Sequence, residues 1–460
     1  MKPTDSKSSR SPVLVWEGKQ EALQEAWTRT DCRLEYVPEE SKNPETTEHL
    51  YIEGDNLDAL KLLLPEYGGK IKMIYIDPPY NTGNLFTYRD RFRPALRSCG
   101  GDGRAADSHA EWLNMMAPRL VLARELLCEQ GVIFISIDDH EADRLKLLCD
   151  EIFGEEQFIG RFVINAAPNA RDYGHIGKMH EYALFYARDI RRTTTRKLPE
   201  EGKKFKYKDE RGSFNLHPLY NSNVAFHRGN RPNLYYPFYL DPDAPMEGGF
   251  YRISLEPQAG WIEIYPPLSQ KEKVPFVWRW GKEKARKELN REIVGYRTET
   301  GEFRIMQKMR HREKVIRSLQ LDKRFANRRG TAEVERLFGS KLFSFPKPLE
   351  LITAFCRAGT DPDSIVLDFF SGSATTAHAV MRLNAEDGGR RRFIMIQRPE
   401  PCGEGTAREA GYAAISDIGK ERIRRAGERL MQEYAGKPWM DRLDIGFKVY
   451  RVVKENGRTQ

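Results

Sequence analysis

The tetrapeptide Asp77-Pro78-Pro79-Tyr80 closes the apolar run Ile71-Lys72-Met73-Ile74-Tyr75-Ile76. Its residue types can activate an amine that is a poor nucleophile. The exocyclic amine of a nucleobase is such a group, because its lone pair is delocalised into the ring. Drawing that nitrogen towards tetrahedral geometry requires acceptors for its N–H bonds. Asp77 offers a carboxylate. Pro78 offers a main-chain carbonyl, rigid because proline fixes φ and restricts the residue before it. Pro79 completes the turn, and Tyr80 offers a flat face for a base that has left its stack. The same four residues also match an ordinary Pro-Pro turn at the end of a strand.

A second group is Asp368-Phe369-Phe370-Ser371-Gly372-Ser373-Ala374-Thr375-Thr376, which follows the apolar stretch Ile365-Val366-Leu367. In a doubly wound sheet, ligands bind beyond the strand ends at such strand-to-helix connections. Gly372 lets backbone approach a ligand, and the small residues around it leave room for a nucleoside or an amino-acid moiety. The loop lacks the Gly-Lys-Ser/Thr ending of a phosphate loop and the three spaced glycines of a dinucleotide fingerprint.

The elements that position these groups alternate. Leu50–Glu53 reads as a strand, and Leu57, Leu60, Leu63 and Leu64 mark one face of a helix. The strand to Ile76 follows. A helix is expected through Trp112, Met115, Met116, Leu120, Leu122 and Leu126, stopping near Gln130-Gly131, with Pro118 kinking it or delaying its start. Val132–Ile137 is the next buried strand. After the insert come a helix from Pro348, the strand Ile365–Asp368, a helix through Thr376–Leu383 and the strand Phe393–Ile396. The pattern predicts an α/β fold with a doubly wound, mostly parallel sheet. Trp16 and Trp27 are expected to anchor the N-terminal extension to the core. The polar stretch Tyr80 to Ser108 is expected to be a mobile loop, and Met1–Arg10 a disordered tail.

At 460 residues, with 31 % charged and 40 % hydrophobic, the chain can bury one or two full cores. No apolar stretch reaches the roughly 20 residues of a membrane span, and no signal peptide opens it, so a cytoplasmic location is expected. Six scattered cysteines without a Cys-x-x-Cys pair argue against a zinc site or disulfide framework. The net charge of +8 is unevenly placed: residues 191–340 hold 32 Lys+Arg against 19 Asp+Glu, a net of +13. That segment also holds 20 of the 50 aromatics. It reads as an inserted module suited to a polyanion. The expected parts are an N-terminal extension (1–45), a half that carries the Asp77 turn (46–190), the basic, aromatic insert (191–340) and a half that carries the Gly372 loop, with the C-terminal tail (341–460).

Taken together, the two groups make the chain resemble the DNA amino-methyltransferases of the β class, in particular the modification subunits of type III restriction-modification systems. The order of parts matches that class: Asp-Pro-Pro-Tyr turn, middle recognition region, Phe-x-Gly loop. So do Ile52–Leu57, Asn81-Thr82-Gly83, Asn327–Thr331, Phe345–Leu349, Thr375–Val380 and Lys420–Arg425. The resemblance implies S-adenosylmethionine as cofactor and a methyltransferase Rossmann-like fold. It places Phe370, Gly372 and Ser373 under the methionine part, with Thr375 beyond them and Asp368 at the strand end. Gln397 falls where the ribose hydroxyls are bound, and Asp55, next to Asn56, where the adenine amine of the cofactor is accepted. Lys347 falls near its carboxylate. Ala374 stands where many relatives carry glycine, tolerable if its backbone is not left-handed. The implied reaction is site-specific transfer to adenine N6 in double-stranded DNA, by base flipping, without a metal. A homodimer and an ATP-dependent restriction subunit are implied as partners, and a solitary enzyme stays open. The chain has no Walker A motif of its own.

Blander roles stay beside these. Asp55 and Asp368 can serve as caps, and Lys347 as a surface lysine. His378 reads as a packed or half-exposed histidine, Asp138-Asp139-His140 as a helix start, and His180-Glu181-Tyr182 as strand packing near the site. Other functions also remain: cytosine-N4 methylation, a non-catalytic DNA-binding subunit, or methylation of RNA or protein amides.

Overall fold

The computed structural model describes residues 13–82, 105–169, 175–200, 202–403 and 405–455. The N-terminal tail, Gly83 and the glycine-rich patch around Cys99 lie outside them. The chain forms two compact units: one runs to Leu198 and resumes at Val315, and the other is Pro199–Lys314.

The first unit is built on a ten-stranded sheet. Its strands are β1 (Cys32–Tyr36), β2 (Leu50–Glu53), β3 (Ile71–Ile76), β4 (Leu127–Ile137), β5 (Phe158–Ile164), β6 (Glu181–Ala187), β7 (Leu319–Gln320), β8 (Ile365–Asp368), β9 (Arg392–Gln397) and β10 (Lys448–Lys454). They lie in the order β1-β10-β2-β9-β8-β3-β4-β6-β5-β7. The six from β10 to β4 run parallel, while β1 and β6 pair antiparallel with their neighbours. Central parallel strands are covered on both faces and so read as unbroken apolar runs. All six residues of β3 are buried.

Alternation along β3 feeds two cores. Ile74 and Ile76 join Leu60, Leu63, Trp112, Leu120 and Leu145. Those side chains come from α1 (Asn56–Tyr67), α2 (Ala105–Leu126) and α3 (Ala142–Phe153). Met73 and Tyr75 join Ile352, Phe355, Val380 and Ile423. These come from the helices that follow α4 (Asn327–Phe338): α5 (Leu349–Gly359), α6 (Thr375–Asp387) and α7 (Ile415–Glu433). Helices cover both faces, as the doubly wound reading requires.

Several local expectations are corrected. The helix through Trp112 runs over Pro118 and ends at Leu126, and Gln130-Gly131 lies inside β4. The reason is long-range: Leu127 pairs with Ile71, and the Lys72 ammonium donates to the Gln130 carbonyl at 2.8 Å. The helix after β4 begins at Ala142, while Asp138 accepts the backbone N–H of His140. Trp16 packs on the core, but Trp27 is 60 % exposed.

The second unit is a seven-stranded antiparallel sheet around Phe238, Leu240, Ile253, Trp278, Ile293 and Ile305. Trp278 donates its indole N–H to the Tyr236 carbonyl at 2.6 Å. From Val315 the chain returns to the first unit, where β7 pairs with β5 and the buried Val334 of α4 packs beside Ile415 and Ile418. The part of the basic segment beyond Lys314 therefore lies in the first unit. Among the described residues, no helix is long and apolar enough to cross a membrane.

Candidate active site

Strands β3 and β8 are direct neighbours and parallel. Their C-terminal ends therefore bring the turn at Asp77 and the loop at Asp368 to the same edge of the sheet.

The turn after β3 is held by charge. Tyr80 donates its hydroxyl to Asp77 Oδ1 at 2.9 Å and lies 3.4 Å from Glu181 Oε2. The Lys347 ammonium donates to the Tyr80 oxygen at 2.6 Å and to both Glu181 oxygens at 3.0 and 2.9 Å. It sits 3.3 Å from Asp77 Oδ1 and 4.8 Å from the centre of the Tyr80 ring. Burial raises the Asp77 pKa above the ordinary carboxylate value, and Lys347 pulls against that rise. Burial alone would discharge Lys347, but Asp77 and Glu181 outweigh it and hold the ammonium charged. Burial, Asp77 and Glu181 together keep the Tyr80 hydroxyl protonated far above neutral pH. Trp112 occupies the Pro79 carbonyl through its indole N–H at 2.7 Å. Pro78 is buried at the strand exit, and no described residue hydrogen-bonds its carbonyl.

The loop after β8 is held by neutral groups. The buried Asp368 accepts from Thr376 Oγ1 at 2.5 Å and from the Phe370 N–H at 3.1 Å, so it caps its own turn. No described residue forms an ion pair with it, and burial pushes its carboxyl to a pKa of about 7. Gln397, at the end of β9, accepts the Gly372 N–H at 2.7 Å. Gly372 is left-handed (φ 49°), and a Cβ there would meet only the Phe343 ring at 3.4 Å and a loop carbonyl at 4.0 Å. The glycine thus keeps a hollow open over the loop. Arg422 of α7 donates to Ser373 Oγ at 2.9 Å and to Thr375 Oγ1 at 2.6 Å. At the end of β2, Asp55 caps α1 by accepting from Leu57 N at 2.8 Å. Asn56 donates to the Phe369 carbonyl at 2.7 Å, and Arg119 binds both residues from α2.

A model of the DNA methylase family matches residues 71–401, which contain both the turn and the loop. The chain belongs to the DNA methylase family. It is 35 % identical to the Mod subunit of the type III restriction-modification enzyme EcoPI of Escherichia phage P1, over 97 % of this chain and 72 % of that one. It is 34 % identical to the type II methyltransferase M.KpnI of Klebsiella pneumoniae, over 82 % and 87 %. It is 32 % identical to the EcoP15I Mod subunit of Escherichia coli, over 97 % and 72 %. The resemblance to type III modification subunits therefore holds along most of the methylase.

Within this methylase, several expected residues take more specific places. The Lys347 side chain reaches the turn after β3, while its carbonyl accepts weakly from Thr375 Oγ1 at 3.4 Å. Lys347 is thus no surface lysine. Ala374 is left-handed (φ 59°, ψ 40°), the condition under which its methyl group is strained. His378 is buried, and burial and three arginines hold its pKa well below the ordinary value. Four residues of the site were not singled out by the sequence reading as site residues: Glu181, Trp112, Arg119 and Arg422. Gly330, inside a family-like stretch, has a concrete task. A Cβ there would lie 1.9 Å from the Pro346 carbonyl oxygen, so only glycine lets α4 approach the segment carrying Lys347.

Proposed function

We propose that the methylase transfers a methyl group from S-adenosylmethionine to adenine N6 in duplex DNA, with the target base flipped out of the helix. The observation that carries this reading is the adjacency of β3 and β8, which end in an activated carboxylate and in an open glycine loop. An amine acceptor and a methyl donor bound at these ends would meet side by side.

The hollow over Gly372 fits the methionine part of the donor, between Phe370 and Ser373. Asp55, Asn56 and Gln397 stand at the neighbouring strand ends, where the nucleoside part would be held. The donor supplies a methyl group made electrophilic by its sulfonium. The chain's residues do the rest. Asp77 and the Pro78 carbonyl accept the two N–H bonds of the amine and orient its lone pair. Tyr80 offers its ring to the flipped base. These groups are fixed before the substrate arrives, so little reorganisation accompanies the reaction.

The second unit supports a duplex substrate through its charge and rings. Arg228 lies 4.9 Å over Tyr235, which stacks on Tyr265 at 5.2 Å. Such paired guanidinium and aromatic planes suit phosphates and bases. Because two of the relatives are named as Mod subunits of restriction-modification enzymes, we also propose a restriction subunit as partner, tested by co-purification from the native cell.

Single-molecule modification sequencing tests the reaction, using DNA from cells that express the wild type or Asp77→Ala. The expected result is N6-methyladenine at one short motif with the wild type only. Marks on cytosine N4 would replace adenine as the target. No marks in either sample would overturn the reading.

A further inference from the structure

Asp77 is divided between two duties. Its Oδ1 is held by the Tyr80 hydroxyl at 2.9 Å and by the Lys347 ammonium at 3.3 Å. Its Oδ2 has no hydrogen bond from any described residue, and the carboxylate side chain is 24 % exposed. Lys347 in turn is anchored on the other side by both oxygens of Glu181, which is buried at the first position of β6. Glu181 lies 104 residues from Asp77 in sequence and two strands away in the sheet, since β4 separates β3 from β6. A single buried ion pair of Lys347 with Asp77 would satisfy charge. The third member makes a triad of two carboxylates and one ammonium, a costly arrangement without a function.

We propose that Glu181 is a positioning residue for methyl transfer: it holds Lys347 between itself and Asp77, so that Oδ1 is fixed and Oδ2 is left to accept the substrate amine. This rests on the amine-methylation reading above. In the transfer, the nitrogen–carbon bond forms as the sulfur–carbon bond breaks, and the bonding pair stays on sulfur. The nitrogen then carries one proton in excess. The N–H held by Oδ2 passes that proton to Asp77, leaving a neutral methylamine and a neutral carboxyl group.

The charged and titratable groups facing Asp77 are Lys347, Glu181 and Tyr80, with Tyr75 on its own strand and Asp368 on β8. Glu181 counters the pull of Lys347 on Asp77 and so preserves its basicity. Removing the Glu181 charge therefore lowers the Asp77 pKa, and removing the Lys347 charge raises it.

The test measures kcat against pH on duplex DNA carrying the target site, for wild type, Glu181→Gln, Glu181→Asp and Lys347→Met. Glu181→Gln is expected to lower kcat by roughly 10- to 100-fold, as a slightly misplaced Asp77 would. Its acid limb moves to lower pH, and that of Lys347→Met to higher pH. Glu181→Asp keeps the wild-type limb. In Glu181→Gln, calorimetric binding of S-adenosylmethionine and the fluorescence of 2-aminopurine at the target stay at wild-type levels. A Glu181→Gln enzyme with unchanged kcat and limb overturns the proposal. So does a fall in kcat without a shift of the limb, or with loss of cofactor binding, because that marks a merely structural role. If the wild type itself transfers no methyl group, the underlying reading fails instead.

Discussion

Asp77 and Asp368 end two adjacent parallel strands, yet the protein treats them oppositely. Asp77 is countered by an ammonium brought from a distant segment, and Lys347 opposes the effect of burial on it. Among the described residues, no cation pairs with Asp368. It is satisfied by a hydroxyl and a backbone N–H, and its pKa climbs to about 7. On the proposed reading, the difference separates two jobs. A group that must accept an amine has to be ionised and partly accessible. A group that shapes a binding loop needs hydrogen bonds of fixed geometry, and its charge is secondary.

The strongest break in this comparison is Asp77→Ala. It should cut methyl transfer on the order of 10³-fold or more, since it removes the acceptor in the transition state. Binding of S-adenosylmethionine, measured by calorimetry, should stay near the wild-type level. Loss of both together would show that the two strand ends do not divide the work.

The next break is Asp368→Asn. The folded pKa of about 7 lies above the ordinary 3.8. Protonation therefore contributes stability that is full below about pH 4 and lost as pH rises through 7. That difference corresponds to at most about 4 kcal/mol. Urea unfolding of wild type from pH 5 to 8 should show this decline, and the Asn variant should not. Parallel profiles would mean that Asp368 stays ionised throughout.

Gly330→Ala tests the support of Lys347. The added methyl group would overlap the Pro346 carbonyl, and forced backbone shifts typically cost about 1–3 kcal/mol. Methyl transfer should fall further than cofactor affinity. Equal losses would place the damage at the loop after β8 instead.

Much of the catalytic body was legible because its central strands are buried on both faces. Ile71–Ile76, Ile365–Asp368 and Phe393–Ile396 read as continuous apolar runs, and the candidate site residues stand at their ends. The contact between the charged supports was not legible. Glu181 and Lys347 are 166 residues apart, and nothing local records their contact. A faint signal existed in each: a glutamate heading an apolar strand, and a lysine between prolines. The antiparallel architecture of the second unit was hidden for another reason. Its strand Phe238–Met246 contains Pro242 and Pro245, which break the usual strand signature and accompany a register shift between Leu240 and Pro245.

Ala374 offers the smallest and most discriminating test. It precedes α6 in a left-handed conformation that costs a non-glycine residue roughly 1–2 kcal/mol. Glycine would relieve that strain. It would also give back about 0.4–1 kcal/mol through a more flexible unfolded chain and lose the contacts of one buried methyl group, worth about 0.8 kcal/mol. These contributions nearly cancel, so Ala374→Gly should change stability by less than about 0.5 kcal/mol in urea unfolding. Ala377 lies one turn further along the same helix, equally buried and in ordinary helical geometry. Ala377→Gly has no strain to relieve and should cost at least about 1 kcal/mol. Equal losses at the two positions would show that the left-handed turn carries no strain, and that the alanine is there for its packing alone.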